Sequence, residues 1–195
     1  MLQVFKRHNA NSRVRSRCWR PSVVLYLLVT SFFSLLSSAQ TRTGTEAEVK
    51  AAYLFNFGKF VRWVRPAGEA FPICIYGKDP FAGLLEATVS GEKIDGKPVV
   101  ARRITSPQEA ASCRVLFIGR ADPDQVKKLM ESAGQGVLTV SDTQDFLKQG
   151  GMIEFVNDQN RIRFEVNLAA ADKAGLTLSS ELLKVASAVH RSDSK

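Results

Sequence analysis

Histidine is almost missing from this chain. Its 195 residues include two, His8 and His190, one near each end. That scarcity removes the usual general base and the commonest metal ligand. No Ser-His-Asp or Cys-His arrangement can be assembled, and no His, Cys, Asp and Glu cluster has metal-ligand spacing. A G-x-S-x-G elbow is absent. Walker A is absent too. "GKDPFAG", Gly77 to Gly83, lacks both its spacing and its Lys-Ser/Thr ending. Asp79 and Pro80 within it read as a helix N-cap and first helical residue. Asp142, with no paired acid or base, reads as another cap. The sequence predicts no enzyme, no cofactor and no metal. An exported hydrolase with an unrecognised site is the third-ranked reading.

Acidic residues are missing from the first 45 positions, where Lys6, Arg7, Arg13, Arg15, Arg17 and Arg20 stand. Val23 to Leu36 follows, apolar apart from Thr30, Ser31 and Ser34, and then Ser37-Ser38-Ala39. Basic, apolar and small in that order is a secretory signal peptide. The run of about 14 residues falls short of the ~20 that span a bilayer, which argues against an uncleaved anchor. The expected organisation is a signal peptide over 1–39 and a single α/β domain over 40–195. Without the six basic residues of the leader, 21 basic residues stand against 19 acidic ones, a net of about +2. That balance gives no reason to expect nucleic acid, which wants a clustered basic face.

Cysteine is scarce as well, with three in the chain. Cys18 precedes the apolar run and leaves with the signal. Cys74 and Cys113 remain, and in an oxidising compartment an even pair reads as one disulfide. It would close a loop of about 40 residues, worth roughly 4 kcal/mol in the chain-entropy view. Two buried reduced thiols are the alternative.

What the domain does contain is a regular alternation. Buried strands are predicted at Phe71 to Gly77, Arg114 to Gly119 and Gly136 to Asp142, with another at Lys97 to Arg103. Between them lie helices opened by Asp79-Pro80, Ser106-Pro107 and Asp122-Pro123, and a short helical piece at Thr143 to Gln149. "MIEFVNDQNRIRFEV" then alternates at period two around Asn-Asp-Gln-Asn, a hairpin signal. Ile162, Phe164 and Val166 share one face; Arg161, Arg163 and Glu165 share the wet one. Two helices close the chain, Leu168 to Ala174 and one capped by Ser179 that runs to about His190. The expected fold is α/β: a mostly parallel sheet flanked by helices, with a C-terminal β-hairpin and two terminal helices.

Aromatics are concentrated in "EVKAAYLFNFGKFVRW", Glu48 to Trp63. At 100° per residue, Val49, Tyr53, Leu54, Phe57, Phe60, Val61 and Val64 form one apolar stripe. Phe55 falls outside it, among Glu48, Lys59 and Arg62. Either it contacts a second protein or another element covers it. Geometry thus selects Phe55, Lys59 and Arg62 on the helix, and Arg161, Arg163 and Glu165 on the hairpin, as candidate partner-binding residues. A second reading is a small-molecule binding protein, with its ligand at the strand ends near Gly77, Gly119 and Asp142.

Taken together, "VKAAYLFNFGKFVRW", "FPICIYGKDPF", "CRVLFIG", "VLTVSD" and "GGMIEFVNDQNRIRFEVNLAAADKAGLTLSSELLKVA" resemble the YfiR/HmsC-type periplasmic proteins of Gram-negative bacteria. The resemblance covers about Glu46 to Ala186. It implies an α/β regulator in the periplasm that binds the sensor domain of an inner-membrane GGDEF diguanylate cyclase and represses it. Cyclic di-GMP, biofilm and exopolysaccharide output would fall. It further implies a homodimer, an OmpA-like outer-membrane lipoprotein able to sequester the repressor, and a disulfide between Cys74 and Cys113. Two departures stand out. The second cysteine pair of some members is lacking, and Val64-Arg65 intervene before Pro66 after the helix-end Trp63.

Overall fold

A computed structural model describes Thr45–Val64 and Gly68–Arg191. The chain divides into Met1–Arg42 and a compact unit from Thr43 to Lys195, and the described residues all belong to the second. The expected signal peptide, with His8 and Cys18, lies outside them, as does the loop at Pro66.

Thr45 opens the first helix with a capping box: its hydroxyl accepts from the Glu48 amide and the Glu48 carboxylate accepts from its own amide. This helix, α1 (Glu46–Phe60), leads into β1 (Val61–Trp63) and β2 (Phe71–Tyr76). Then come α2 (Leu84–Val89), β3 (Lys93–Ile94), β4 (Lys97–Arg103), a 3-10 helix (Pro107–Ser112) and β5 (Val115–Ile118). After α3 (Pro123–Ala133) and β6 (Leu138–Ser141), the hairpin strands are β7 (Ile153–Asp158) and β8 (Arg161–Asn167). The chain closes with α4 (Leu168–Lys173), β9 (Leu176–Leu178), α5 (Ser180–Val185) and β10 (Ala188–His190).

Eight strands form the central sheet in the order β10-β8-β7-β6-β5-β2-β4-β3, and β1 and β9 form a separate two-stranded ribbon. From β4 through β2, β5 and β6 to β7 every neighbouring pair is parallel, whereas β3 and β8 join antiparallel. Gln159 and Asn160 both take positive φ, at 49° and 61°, the backbone of a two-residue hairpin turn that follows strand twist.

Each buried strand feeds two cores, because successive side chains point to opposite faces. Ile73, Ile75, Val115 and Phe117 pack with Leu54 and Phe57 of α1 and Leu85 of α2. Cys74, Leu116 and Ile118 pack with Leu129 of α3, Ala110 and Phe146. β2 and β5 are apolar on both faces and read as unbroken hydrophobic runs, while β6 turns buried Thr139 and Ser141 to one face, where the Ser141 hydroxyl donates to the Ile118 carbonyl.

Four expectations at element boundaries change. The first helix stops at Phe60 rather than continuing past Val64. Val61 is extended (φ −104°, ψ 134°), and Val61, Arg62 and Trp63 pair antiparallel with Leu178, Thr177 and Leu176. Pairing with β9, which sequence reading missed, wins over the helical stripe, so Phe60 and Val64 are 41% and 78% exposed. Likewise the final helix ends at Val185, and Ala188–His190 pairs parallel with β8. Both the Ser187 amide and hydroxyl donate to the Phe164 carbonyl, covering an edge that would otherwise stand open. Asp79 does not cap α2, whose N-cap is Gly83 in the left-handed region. Asp79 instead accepts from the Phe81 amide and pairs with Arg103. Finally, Thr143 to Gln149 forms turns, not a helix. Asp145 sits at φ 62°, and Glu154 takes the amides of Asp145 and Leu147.

Candidate functional site

Trp63 locks the ribbon against the domain. Its indole donates to the Gly58 carbonyl at 3.2 Å, its ring meets Phe71 edge-on at 5.4 Å, and the Arg114 guanidinium lies 5.9 Å from its centre. Beside the ribbon opens a cavity of about 610 Å³. Lys59 to Trp63 line it on one side and Thr177 to Glu181 on the other, with Asp95. An exposed Phe60 stands there between Lys59 and Arg62. Among the described residues the ribbon has no third strand, so the outer edges of β1 and β9 carry no strand partner there.

Of the sequence-selected residues, Lys59 and Arg62 line this cavity. Lys59 also places its ammonium 5.1 Å from the centre of the Phe55 ring, a cation–π contact that brings Phe55 into the same group. Phe55 itself is half-buried against the first core, so part of its ring serves packing. The helical spacing places Phe60 on the buried stripe, whereas the structure leaves it on the surface. The end of α1 decides its exposure, and no local pattern marks that end.

Arg161, Arg163 and Glu165 sit elsewhere. Phe164 meets Phe57 edge-on at 5.0 Å and Tyr53 at 5.3 Å, so its face of β8 looks toward α1. Strand alternation turns Arg163 and Glu165 to the opposite face. The two sets of candidate residues are therefore on opposite sides of the sheet. Glu165 is 3.0 Å from His190 Nε2, which ties β10 to β8, whereas the sequence pattern places His190 at the end of the last helix.

Lys50 is the functional-looking group that sequence reading passed over. It is 4% exposed, yet its ammonium reaches Asp142 at 2.7 Å and Glu46 at 2.5 Å. Burial works against the charged form, but the hydrogen bonds and charges of Asp142 and Glu46 prevail and raise its pKa above the ordinary lysine value. Asp142, expected as a helix cap, instead ties the end of β6 to α1. Cys74 and Cys113 are joined in a disulfide, 5.8 Å apart at Cα and both fully buried. Among the described residues no group of three His, Cys, Asp or Glu could hold a metal, and no helix is long and apolar enough to cross a membrane.

A tight clasp joins the loops after β2 and β5. The Gly119 amide donates to the Tyr76 carbonyl and the Lys78 amide to the Arg120 carbonyl. A Cβ on Gly119 would lie 2.0 Å from the Lys78 carbonyl oxygen. Gly119→Ala must therefore open the clasp, at about 1–3 kcal/mol. Urea unfolding should show a lower midpoint with an unchanged slope; an unchanged midpoint would mean the loops part without strain.

The parallel strands, numbered by chain order, lie 2-1-3-4-5 in space. That is the arrangement of a doubly wound α/β domain, extended by an antiparallel strand at each end of the parallel block and carrying an aromatic-cationic cleft beside a separate ribbon. The chain belongs to the YfiR/HmsC-like family, whose model matches residues 47–187. Among solved structures it is similar to a conserved domain protein from Vibrio cholerae O1 biovar El Tor, at 12% identity and a TM-score of 0.51. That likeness covers 74% of this chain and spans 60% of the other, and it is one of fold. No protein of curated function matches the chain.

Proposed function

We propose that this protein binds the periplasmic sensor domain of an inner-membrane GGDEF diguanylate cyclase and holds the enzyme inactive, lowering cyclic di-GMP and with it biofilm and exopolysaccharide output. The observation that carries this reading is Phe60, exposed between Lys59 and Arg62 on a cavity beside an open-edged ribbon. Family membership supplies the class of partner. Repression requires only that the chain prefer the sensor's inactive conformation over its active one. Phe55, Lys59 and Arg62 form the contact surface. Arg161, Arg163 and Glu165, on the far face of the sheet, form a second surface, suited to another copy of this chain in a homodimer. Sequestration by an OmpA-like outer-membrane lipoprotein releases the cyclase in this scheme.

Titration calorimetry with the purified sensor domain tests it. Lys59→Glu with Arg62→Glu should weaken binding by about tenfold or more, ~1.4 kcal/mol, without lowering the melting temperature, since both side chains are exposed. Arg161→Glu with Arg163→Glu should leave it unchanged and shift the protein toward monomer. No heat at micromolar concentration, with the unaltered chain folded, overturns the proposal.

A further inference from the structure

Two cations with no bonding partner stand at the carboxyl end of the parallel sheet. Lys78 follows β2, Arg120 follows β5, and the clasp holds them side by side through the Lys78 amide and Arg120 carbonyl at 3.1 Å. Among the described residues neither side chain has a hydrogen bond or ion pair. Here the chain order reverses, because β4 lies on one side of β2 and β5 on the other. In open α/β sheets ligands gather outside such a reversal.

A cavity of about 490 Å³ opens at this place, lined by Lys78, Pro80, Arg120, Asp142, Thr143 and Gln144. Its acid does not cancel its charge, since Asp142 is already engaged by Lys50. A second cavity of about 230 Å³ adjoins it across Arg120 and Thr143. That one is walled by Ile118, Ala121, Val126 and Phe146 and is largely apolar. The nearby start of α3 offers no free amide, because the Asp122 carboxylate accepts from Asp124 and Gln125. Recognition of charge there falls to the two side chains.

We infer that this crevice binds a small organic anion, its carboxylate or phosphate held between Lys78 and Arg120 and its apolar body laid against Ala121, Pro123 and Val126. A simple ion fills only the charged half, and a neutral apolar molecule leaves the two cations unpaired. The inference is independent of the partner surface, which lies elsewhere.

Amide chemical-shift mapping on the folded chain, with three probes, tests it. Phenylacetate should give saturable shifts at Lys78, Gly119, Ala121 and Thr143. Inorganic phosphate should bind there about tenfold more weakly, and 2-phenylethanol should give no saturable shift. Lys78→Ala with Arg120→Ala should weaken phenylacetate by about tenfold or more at an unchanged melting temperature. The inference is overturned if no probe saturates in the millimolar range. It is equally overturned if phosphate binds as tightly as phenylacetate, or if the double variant binds like the parent.

Discussion

Cys74→Ser or Cys113→Ser should lower the stability of the domain by about 2–5 kcal/mol. The bridge spans 39 positions and joins the middle of β2 to the end of the 3-10 helix that leads into β5. Both sulfurs lie in the second core with Leu116, Ile118 and Leu129. Removing one cysteine therefore does two things. It frees the unfolded chain from a loop constraint, and it leaves a serine hydroxyl and a lone thiol in an apolar site, where an unpaired polar group is costly. Unfolding by urea without reductant should show the full loss in either variant, and the double variant should lose little more, because the two residues act as one unit. Under the proposed function, binding to the sensor domain should weaken in parallel, since β2 carries the clasp and Phe71, against which Trp63 packs. Quantitative labelling of both thiols in the unreduced native protein would contradict this expectation.

The strands that the sequence made plain are those whose local pattern and tertiary role agree. "FPICIY" and "VLFI" are apolar on both faces and "LTVS" is buried on both because both faces are covered, and the hairpin alternates because one of its faces is not. Val61–Trp63, Leu176–Leu178 and Ala188–His190 are different. Each has three residues and exists because a partner strand lies beside it. A window that sees only neighbours along the chain assigns Val61 and Val189 to helices, as their spacing allows. Errors at the candidate site follow from the same cause. Lys59 and Arg62 reach the surface as expected, since charges seldom bury unpaired. Phe60 was misplaced because the helix was run one turn too far. Arg163 and Glu165 lie on the wet face of the hairpin, and Phe164, packed on Phe57, sets that face on the opposite side of the sheet from Phe55.

Lys50 shows a signal that was legible and passed unused. It stands four residues before Leu54 and seven before Phe57, on the buried stripe of α1, and a lysine there demands a carboxylate. The carboxylate is Asp142, and the pair should respond asymmetrically to substitution. Asp142→Ala leaves the ammonium buried with only the exposed Glu46 for company, and should cost about 3 kcal/mol. That is the low end for breaking a buried pair, because the Asp142 carboxylate is partly wet. Lys50→Met keeps the volume and removes the charge that needed compensation, and should fall within about 1 kcal/mol of the parent. Equal losses in the two variants would mean that the ion pair itself, rather than the stranded charge, sets the cost. The pH dependence separates the cases further. A lysine whose folded pKa is raised contributes its full stabilisation below the unfolded value of about 10.4 and loses it as pH rises through the folded one. The parent should accordingly shed this contribution only in strongly alkaline solution, and Lys50→Met should lack that step. Across the neutral range the tie between α1 and the end of β6 stays charged, so the helix that carries Phe55 and Lys59 is held in place wherever the protein works.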